Sequence, residues 1–190
     1  VASDECYIEF GWDEWENKRI PTILDPDVCG DSHEGVLAVY SLSKQSNLAG
    51  YRAAFAAGEA GLIKAIVNLR MHSGMITPMP IQKAMVAALR DEEHVAVERA
   101  VYGKRREVLL SAMLEYGFEV SASEAGLYLW ATLGEDCWVT VKKMADLGIV
   151  VVPGTFYGDY TPNMVRFSIT ASDEKIAEAA KRLRDAVSLR

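Results

Sequence analysis

"GVLAVYSLSKQSNLAGYRAAFAAG", from Gly35 to Gly58, is the stretch of sequence that decides the fold. It opens with a short apolar run, Gly35 to Ser43, of the kind that forms a buried strand. A turn rich in serine and glycine follows, and "GYRAAFAAG" is typical of a second strand. The helical segment "EAGLIKAIVNLRMH" comes next, so this part of the chain predicts an α/β architecture.

The pattern changes twice along the chain, which predicts three regions. Residues 1–90 are expected to be the C-terminal part of a large α/β domain. Residues 91–117 are predicted to form a connecting helix, because apolar residues recur along one helical face from Val97 to Tyr116. Residues 118–190 mix strand and helix patterns and are expected to form a small α+β domain.

Four segments define that last region. "FEVSASEAGLYLWATL" predicts strand, turn and strand, while "IVVVPG" and "NMVRFSIT" each predict one strand. "EDCWVTVKKMADLG" predicts an amphipathic helix with Gly148 at its C-cap. Ser172 is expected to be the N-cap of the last helix, since acidic residues follow it in the first turn.

The composition limits the classes of function. The chain has 190 residues and a formal net charge of −7, which argues against partners such as nucleic acid or an anionic membrane. Its three cysteines form no CxxC pair, which favours a reduced, cytoplasmic setting. The three histidines lack metal-ligand spacing, so no metal site is expected.

Lys44 stands at the end of the predicted buried strand, where α/β proteins bind ligands. Partial desolvation there would lower the pKa of its amine and make it a nucleophile. Ser41 and Ser43 offer hydroxyls beside it, Gly50 would let the backbone approach closely, and Arg52 offers donors suited to phosphate. A nucleophilic lysine with a phosphate anchor is what a pyridoxal 5'-phosphate site needs.

Three further residues extend this hypothesis. Asp4 could keep the pyridinium nitrogen of such a cofactor protonated, and Tyr7 could hydrogen-bond its ring hydroxyl. Arg166 lies in an apolar strand pattern, where it needs an anionic partner such as a substrate carboxylate.

Each residue also has a structural interpretation that stays open. Lys44 could be a solvated charge, Arg52 a turn cap and Asp4 a turn residue. Tyr7 could belong to the core, and Arg166 could pair with a structural carboxylate. The combination is more specific than any one residue, because order, spacing and strand context agree.

Taken together, "SDECY", "SLSKQSNLAGYR" and "VRFSIT" resemble the C-terminal half of the class I/II, or fold-type I, aminotransferases. "SKQSNLAGYRAAF", "MHSGMITPMPIQKAMVAAL", "SEAGLYLWATLGEDC" and "PGTFYG" are similar to segments of actinobacterial N-succinyldiaminopimelate aminotransferases. Gln45 departs from that pattern, which carries a basic residue after the lysine. The resemblance implies the C-terminal part of the pyridoxal-phosphate transferase fold.

The resemblance also implies a role for each candidate residue. Lys44 would bond to the aldehyde of pyridoxal 5'-phosphate and act as general acid and base. The cofactor-binding residues would be Asp4, Tyr7, Ser41, Ser43, Lys44 and Arg52. Arg166 would bind the substrate α-carboxylate.

The expected reaction moves an amino group between glutamate and an oxo acid, with N-succinyl-2-amino-6-oxopimelate of lysine biosynthesis as the expected acceptor. The expected partners are amino acid and 2-oxo acid substrates, a second copy in a homodimer, and a missing N-terminal half of the same protein. Two alternatives stay open. The chain could belong to another fold-type I enzyme, such as a broad aminotransferase or a carbon–sulfur lyase, or it could be an inert C-terminal fragment.

Overall fold

The structure, a computed structural model, describes residues 1–189 and divides into two compact units, Val1–Arg99 and the chain from Ala100 onward. The first unit contains β1 (Ala2–Asp4), α1 (Pro26–Cys29), β2 (Leu37–Ser41), α2 (Leu42–Gln45), β3 (Ala54–Gly58), α3 (Ala60–His72) and α4 (Met79–Leu89). The helix α5 (Glu92–Tyr116) begins in the first unit and ends in the second. The second unit continues with β4 (Glu119–Ser121), β5 (Tyr128–Thr132), α6 (Cys137–Asp146), β6 (Val152–Pro153), β7 (Met164–Ser168) and α7 (Asp173–Ser188).

The sheet of the first unit runs β1-β2-β3 within the described residues. β1 and β2 are parallel, with Asp4 opposite Val39, so both strands end at the same edge. β2 and β3 are antiparallel, with Ser41 opposite Ala54. The predicted strand in Gly35 to Ser43 is therefore confirmed as the central strand of this sheet.

A small apolar core covers the end of β2. Tyr40, Leu42, Ala53 and Met85 form one buried cluster, so α4 packs on the strand and turn that carry Lys44. Burying each large side chain stabilises the fold by about 1.5–3 kcal/mol. The helix that contains Lys44 is thus held on one side by packing.

The sheet of the second unit has the order β4-β5-β7-β6 in the part of the chain that the structure describes. Alternate residues of β5 and β7 are buried, among them Leu129 and Phe167. The amphipathic helix α7 buries Ile176, Ala180 and Leu183. The alternation follows from the period-two geometry of a strand with one buried face.

The end of α6 differs from the prediction. Leu147 is the C-cap, and Gly148 is the next residue, with a φ of 69°. The Gly148 amide donates to Ala145 O at 2.8 Å and the Ile149 amide donates to Met144 O at 2.8 Å, which is a Schellman motif. The Ile149 amide belongs to this helix end, and of the strand predicted for "IVVVPG" only Val152–Pro153 is observed as a strand.

Two other expectations hold only in part. Val97 is 58 % exposed, so the apolar face predicted for α5 is buried only in its C-terminal portion, at Ala112 and Tyr116. Ser172 stands at the N-cap of α7 but makes no capping bond. Its hydroxyl instead hydrogen-bonds Glu174 and thereby lowers the pKa of that carboxyl. The division into 1–90, 91–117 and 118–190 stays a prediction.

No helix within residues 1–189 has the length and apolar character needed to cross a membrane.

Candidate active site

The edge at which β1 and β2 end collects the predicted residues of the first unit. Asp4 is the last residue of β1 and Ser41 is the last residue of β2. Lys44 follows within α2, directly beyond that edge. The parallel pairing therefore brings a carboxylate, a hydroxyl and an amine to one edge of the sheet, although Asp4 and Lys44 are 40 residues apart in sequence.

Lys44 is half-buried, and its Nζ lies 5.7 Å from the centre of the Tyr7 ring. Among the described residues, no carboxylate lies within ion-pair distance of this amine. The attraction between an ammonium and a ring face is modest, about 0.5–1 kcal/mol at an exposed site. The amine is thus positioned without being neutralised by a structural acid.

Asp4 is exposed, and its Oδ1 accepts a hydrogen bond from the Cys6 amide at 3.2 Å. The Cys6 thiol is affected by the same carboxylate. Burial first, and then a hydrogen bond to Asp4 and the charge of Asp4, raise the pKa of Cys6 to about 11. Cys6 was not among the predicted residues, although its place between Asp4 and Tyr7 could have drawn attention to it.

Ser41 and Ser43 form a pair at the start of α2. Ser41 Oγ accepts from the Ser43 amide at 3.1 Å, as expected of a helix N-cap. The two hydroxyl oxygens lie 2.7 Å apart, and Ser41 Oγ also lies 3.3 Å from Ala53 O. The second contact ties the end of β2 to the residue that follows Arg52.

Arg52 occupies the turn before β3 in a left-handed conformation, with a φ of 50°. Its side chain is exposed, and Nη1 donates to Ala49 O at 3.0 Å. Open space surrounds Gly50, since a Cβ there would meet no atom within 4 Å among the described residues. The expectation that Gly50 lets the backbone approach a phosphate closely stays a prediction.

Gln45 has a role that the sequence did not reveal. It is buried, and its Oε1 accepts a hydrogen bond from the Tyr40 hydroxyl, whose own pKa is raised by burial. An amide satisfies this buried hydroxyl, whereas a basic side chain has no acceptor for it. This explains why a neutral residue can follow Lys44 in this chain.

Arg166 lies in the second unit, on β7, opposite Trp130 of β5 and Val152 of β6. Its guanidinium carbon is 4.0 Å from the centre of the Tyr128 ring and 5.4 Å from that of Tyr157. Its Nε is buried and has no hydrogen-bond partner within residues 1–189. No structural carboxylate in this stretch pairs with it.

The aromatic residues around Arg166 were also missed. Tyr128 and Trp130 lie two residues apart on β5, on the same face of the sheet, and Trp130 is the direct partner of Arg166 in the strand pairing. The Trp130 ring contacts Tyr157 edge-on at 5.5 Å. The two aromatic residues in "GLYLW" are two positions apart, which places them on one face of a strand. This spacing could have predicted that they pair across the sheet with the strand that carries Arg166.

Across residues 1–189, no group of three His, Cys, Asp or Glu side chains is arranged to hold a metal ion. The chemical groups that the two units present are an amine at a strand edge, hydroxyl and guanidinium donors, and a second guanidinium with an unsatisfied nitrogen. The first unit thus presents an amine and phosphate-type donors at one strand edge, and the second unit presents a guanidinium whose Nε has no partner among the described residues.

The chain belongs to the aminotransferase class I and II family, whose model matches residues 1–183. The cofactor of this family is pyridoxal 5'-phosphate. The predicted family and cofactor are therefore confirmed.

Three curated relatives show the range of the family that this chain resembles. It is 54% identical to a 4-dedimethylamino-4-oxo-anhydrotetracycline transaminase of Streptomyces rimosus, over 96% of this chain and 50% of the relative. It is 48% identical to a probable aminotransferase of Mycobacterium tuberculosis, over 96% of this chain and 43% of the relative. It is 32% identical to an LL-diaminopimelate aminotransferase of Dehalococcoides mccartyi, over 96% and 47%. The chain thus spans about half the length of the curated relatives it matches.

Solved structures confirm the predicted fold class. The chain superposes on an aminotransferase from Neisseria meningitidis with a TM-score of 0.85 and 32% sequence identity. The match covers 100% of this chain and 49% of that chain. The architecture is therefore the C-terminal part of the pyridoxal-phosphate transferase fold.

Proposed function

We propose that the protein is a pyridoxal 5'-phosphate-dependent aminotransferase that moves an amino group between glutamate and an oxo acid. The observation that carries the proposal is the position of the Lys44 amine beyond the shared edge of β1 and β2, beside Asp4 and Ser41. The family match over residues 1–183 supports the same conclusion.

The residues at this edge fit the cofactor chemically. Ser41, Ser43 and Arg52 would hold the phosphate, because hydroxyl and guanidinium donors are the groups that bind phosphate oxygens well. Asp4 would pair with the pyridinium nitrogen, and the Tyr7 hydroxyl would hydrogen-bond the ring oxygen. Lys44 would bond to the aldehyde through its Nζ.

When bound, the cofactor supplies an electron sink for the reacting carbon of the substrate. Once the substrate amine has replaced it at the aldehyde, Lys44 Nζ would be free to accept the proton from the substrate α-carbon and to return it, so one residue would serve as general base and general acid. The cationic edge of Arg166 binds the α-carboxylate through two parallel hydrogen bonds. The rings of Tyr128 and Tyr157 shield that guanidinium from water and strengthen the contact.

For the amino acceptor, we propose N-succinyl-2-amino-6-oxopimelate in diaminopimelate and lysine biosynthesis. The four sequence segments described above support this substrate, and so does the 32% identity to an LL-diaminopimelate aminotransferase. A second candidate is a polycyclic ketone of the kind in the name of the Streptomyces rimosus transaminase, to which identity is 54%.

We further propose that the active protein is a cytoplasmic homodimer and that an N-terminal half completes the site. The matched chains are about twice as long as this one, which supports the second statement. A half site would also account for the exposure of Asp4 and Arg52, since a carboxylate that pairs with a buried ring nitrogen needs cover.

The test compares full-length protein containing this chain with its Lys44→Ala and Lys44→Arg variants. The unaltered protein is expected to show a visible absorption band with pyridoxal 5'-phosphate that both variants lose, and its turnover should fall by about 10²–10⁴-fold or more in the variants. Absence of any such band in the unaltered protein would contradict the enzyme proposal and favour an inert fragment.

A substrate panel then separates the candidates. Glutamate is offered as donor with N-succinyl-2-amino-6-oxopimelate or with a 4-oxo-anhydrotetracycline as acceptor, and 2-oxoglutarate formation is measured. A kcat/KM at least about tenfold higher for the first acceptor is expected, a difference of about 1.4 kcal/mol. Release of pyruvate from cystathionine instead of amino transfer would identify a carbon–sulfur lyase.

A further inference from the structure

Ser46 connects the lysine helix to a distant part of the first unit. Ser46 is the C-cap of α2, two residues after Lys44, and its Oγ lies 2.8 Å from His94 Nε2. The two residues are 48 positions apart in sequence, and both are half-buried. The hydrogen bond therefore ties the end of α2 to the first turn of α5.

Asp91 fixes the start of the helix that carries this imidazole. Its Oδ1 accepts from the amides of Glu93, at 3.1 Å, and His94, at 3.3 Å, which caps the start of α5. Its Oδ2 lies 3.3 Å from His94 Nδ1, but that nitrogen is buried and makes no hydrogen bond within residues 1–189. The bond to Ser46 is thus the hydrogen bond of this imidazole in the described chain, with Ser46 Oγ or His94 Nε2 as donor according to the tautomer.

The helix α2 needs such a tie. It has only four residues, and a helix this short is unstable on its own. The amides of Ser46 and Leu48 both donate to Leu42 O, at 3.2 Å each, and Asn47 between them takes a left-handed φ of 52°. Loosening Ser46 would therefore loosen the turn that ends the helix of Lys44.

We infer that His94 is a positioning residue that holds the Lys44 helix in place through Ser46. This inference rests on the proposed function insofar as it concerns the cofactor. His94 acts through Ser46 and does not contact the reacting atoms. Its loss should therefore make the Lys44 helix more mobile and leave the fold intact.

The test is hydrogen exchange of the cofactor-free, full-length protein, followed by mass spectrometry of the peptide that covers residues 45–48. His94→Leu and Ser46→Ala are each expected to accelerate exchange there about five- to tenfold, because each variant loses one hydrogen bond that stabilises this turn. Because both remove the same contact, the double variant should be no faster than either single variant. His72→Leu, at the exposed end of α3, is the matched control and should leave this peptide unchanged.

The second measurement is the dissociation constant of pyridoxal 5'-phosphate, which should rise by a similar factor in His94→Leu. His94→Gln keeps a side-chain amide that can donate to Ser46 or accept from it, and should restore most of the affinity. Multiplying effects in the double variant, or equal acceleration in peptides of α6 and α7, would overturn the positioning role.

The two proposals can fail separately. If the unaltered protein binds no pyridoxal 5'-phosphate, the proposed function and the cofactor part of this inference are both wrong. The exchange measurement does not involve the cofactor, so unchanged exchange in His94→Leu would overturn the tie alone.

Discussion

In the second unit, the Arg166 guanidinium lies over the Tyr128 ring, with the guanidinium carbon 4.0 Å from the ring centre. The ring covers the cation, and Arg166 Nε has no hydrogen-bond partner within the described chain. A buried donor without a partner is costly, so this nitrogen supports the proposal that Arg166 binds a carboxylate.

Replacing Tyr128 by Leu should weaken carboxylate binding by Arg166. Loss of the cation–π contact is worth about 1 kcal/mol, so KM for the amino acid should rise about fivefold while kcat changes little. Tyr128→Phe keeps the ring and should behave like the unaltered protein. Steady-state kinetics check this, and equal effects of Phe and Leu would assign the role to the tyrosine hydroxyl instead.

The Tyr40–Gln45 hydrogen bond should behave as a coupled pair. Gln45→Leu leaves the buried Tyr40 hydroxyl without its acceptor and should lower the free energy of unfolding by about 1–3 kcal/mol. Tyr40→Phe should have a cost of the same order. Denaturant unfolding of the Tyr40→Phe/Gln45→Leu double variant should show a smaller loss than the sum, and strict additivity would mean that the bond contributes nothing.

Gly58 should not tolerate a side chain. Its φ is 147°, and a Cβ there would lie 2.2 Å from Val36 O and 3.0 Å from Leu37 Cα. Gly58→Ala must move backbone of the β2–β3 pair and should lower the free energy of unfolding by about 1–3 kcal/mol. Gly50→Ala is the control, since open space surrounds that position; thermal unfolding that ranks the two variants the other way would contradict the register of this sheet.

The Cys6 thiol should be unreactive near neutral pH. Its pKa rises from 9.0 to about 11, so the thiolate needed for alkylation is scarce at pH 8. Iodoacetamide should modify Cys6 at least about tenfold more slowly than free cysteine, and the rate should rise until about pH 11. Peptide mass spectrometry measures the rate; a plateau near pH 9 would show that burial and Asp4 do not perturb this thiol.

The same pKa has a consequence for stability. Between about pH 9 and 11 the folded chain keeps the Cys6 proton while the unfolded chain loses it. The unfolded state then binds fewer protons, so the free energy of unfolding falls as pH rises through this window. Cys6→Ser should flatten that part of the stability profile.

Local patterns were enough to predict the elements. The apolar run before Lys44 became β2, "NMVRFSIT" contains β7, and the fold class and family follow from short motifs that are each contiguous in sequence. These features depend on hydrophobic periodicity and turn residues within about ten positions. The residue roles at the active site stay predictions, because they depend on a ligand.

The partners of the polar side chains were decided by tertiary structure. No residue near Ser46 in sequence predicts its hydrogen bond to His94. The pattern of "IVVVPG" predicts a strand, but its first amide belongs to the Schellman motif that ends α6. Whether Arg166 would meet a carboxylate or an aromatic ring was equally open in the sequence, and the register of β5 on β7 decided it. The sequence by itself determined which segments become strands and helices, since those depend on neighbours along the chain. Only the tertiary structure determined which distant group pairs with each polar or charged side chain. A buried polar group without a partner is costly, and its partner comes from whichever element packs against it.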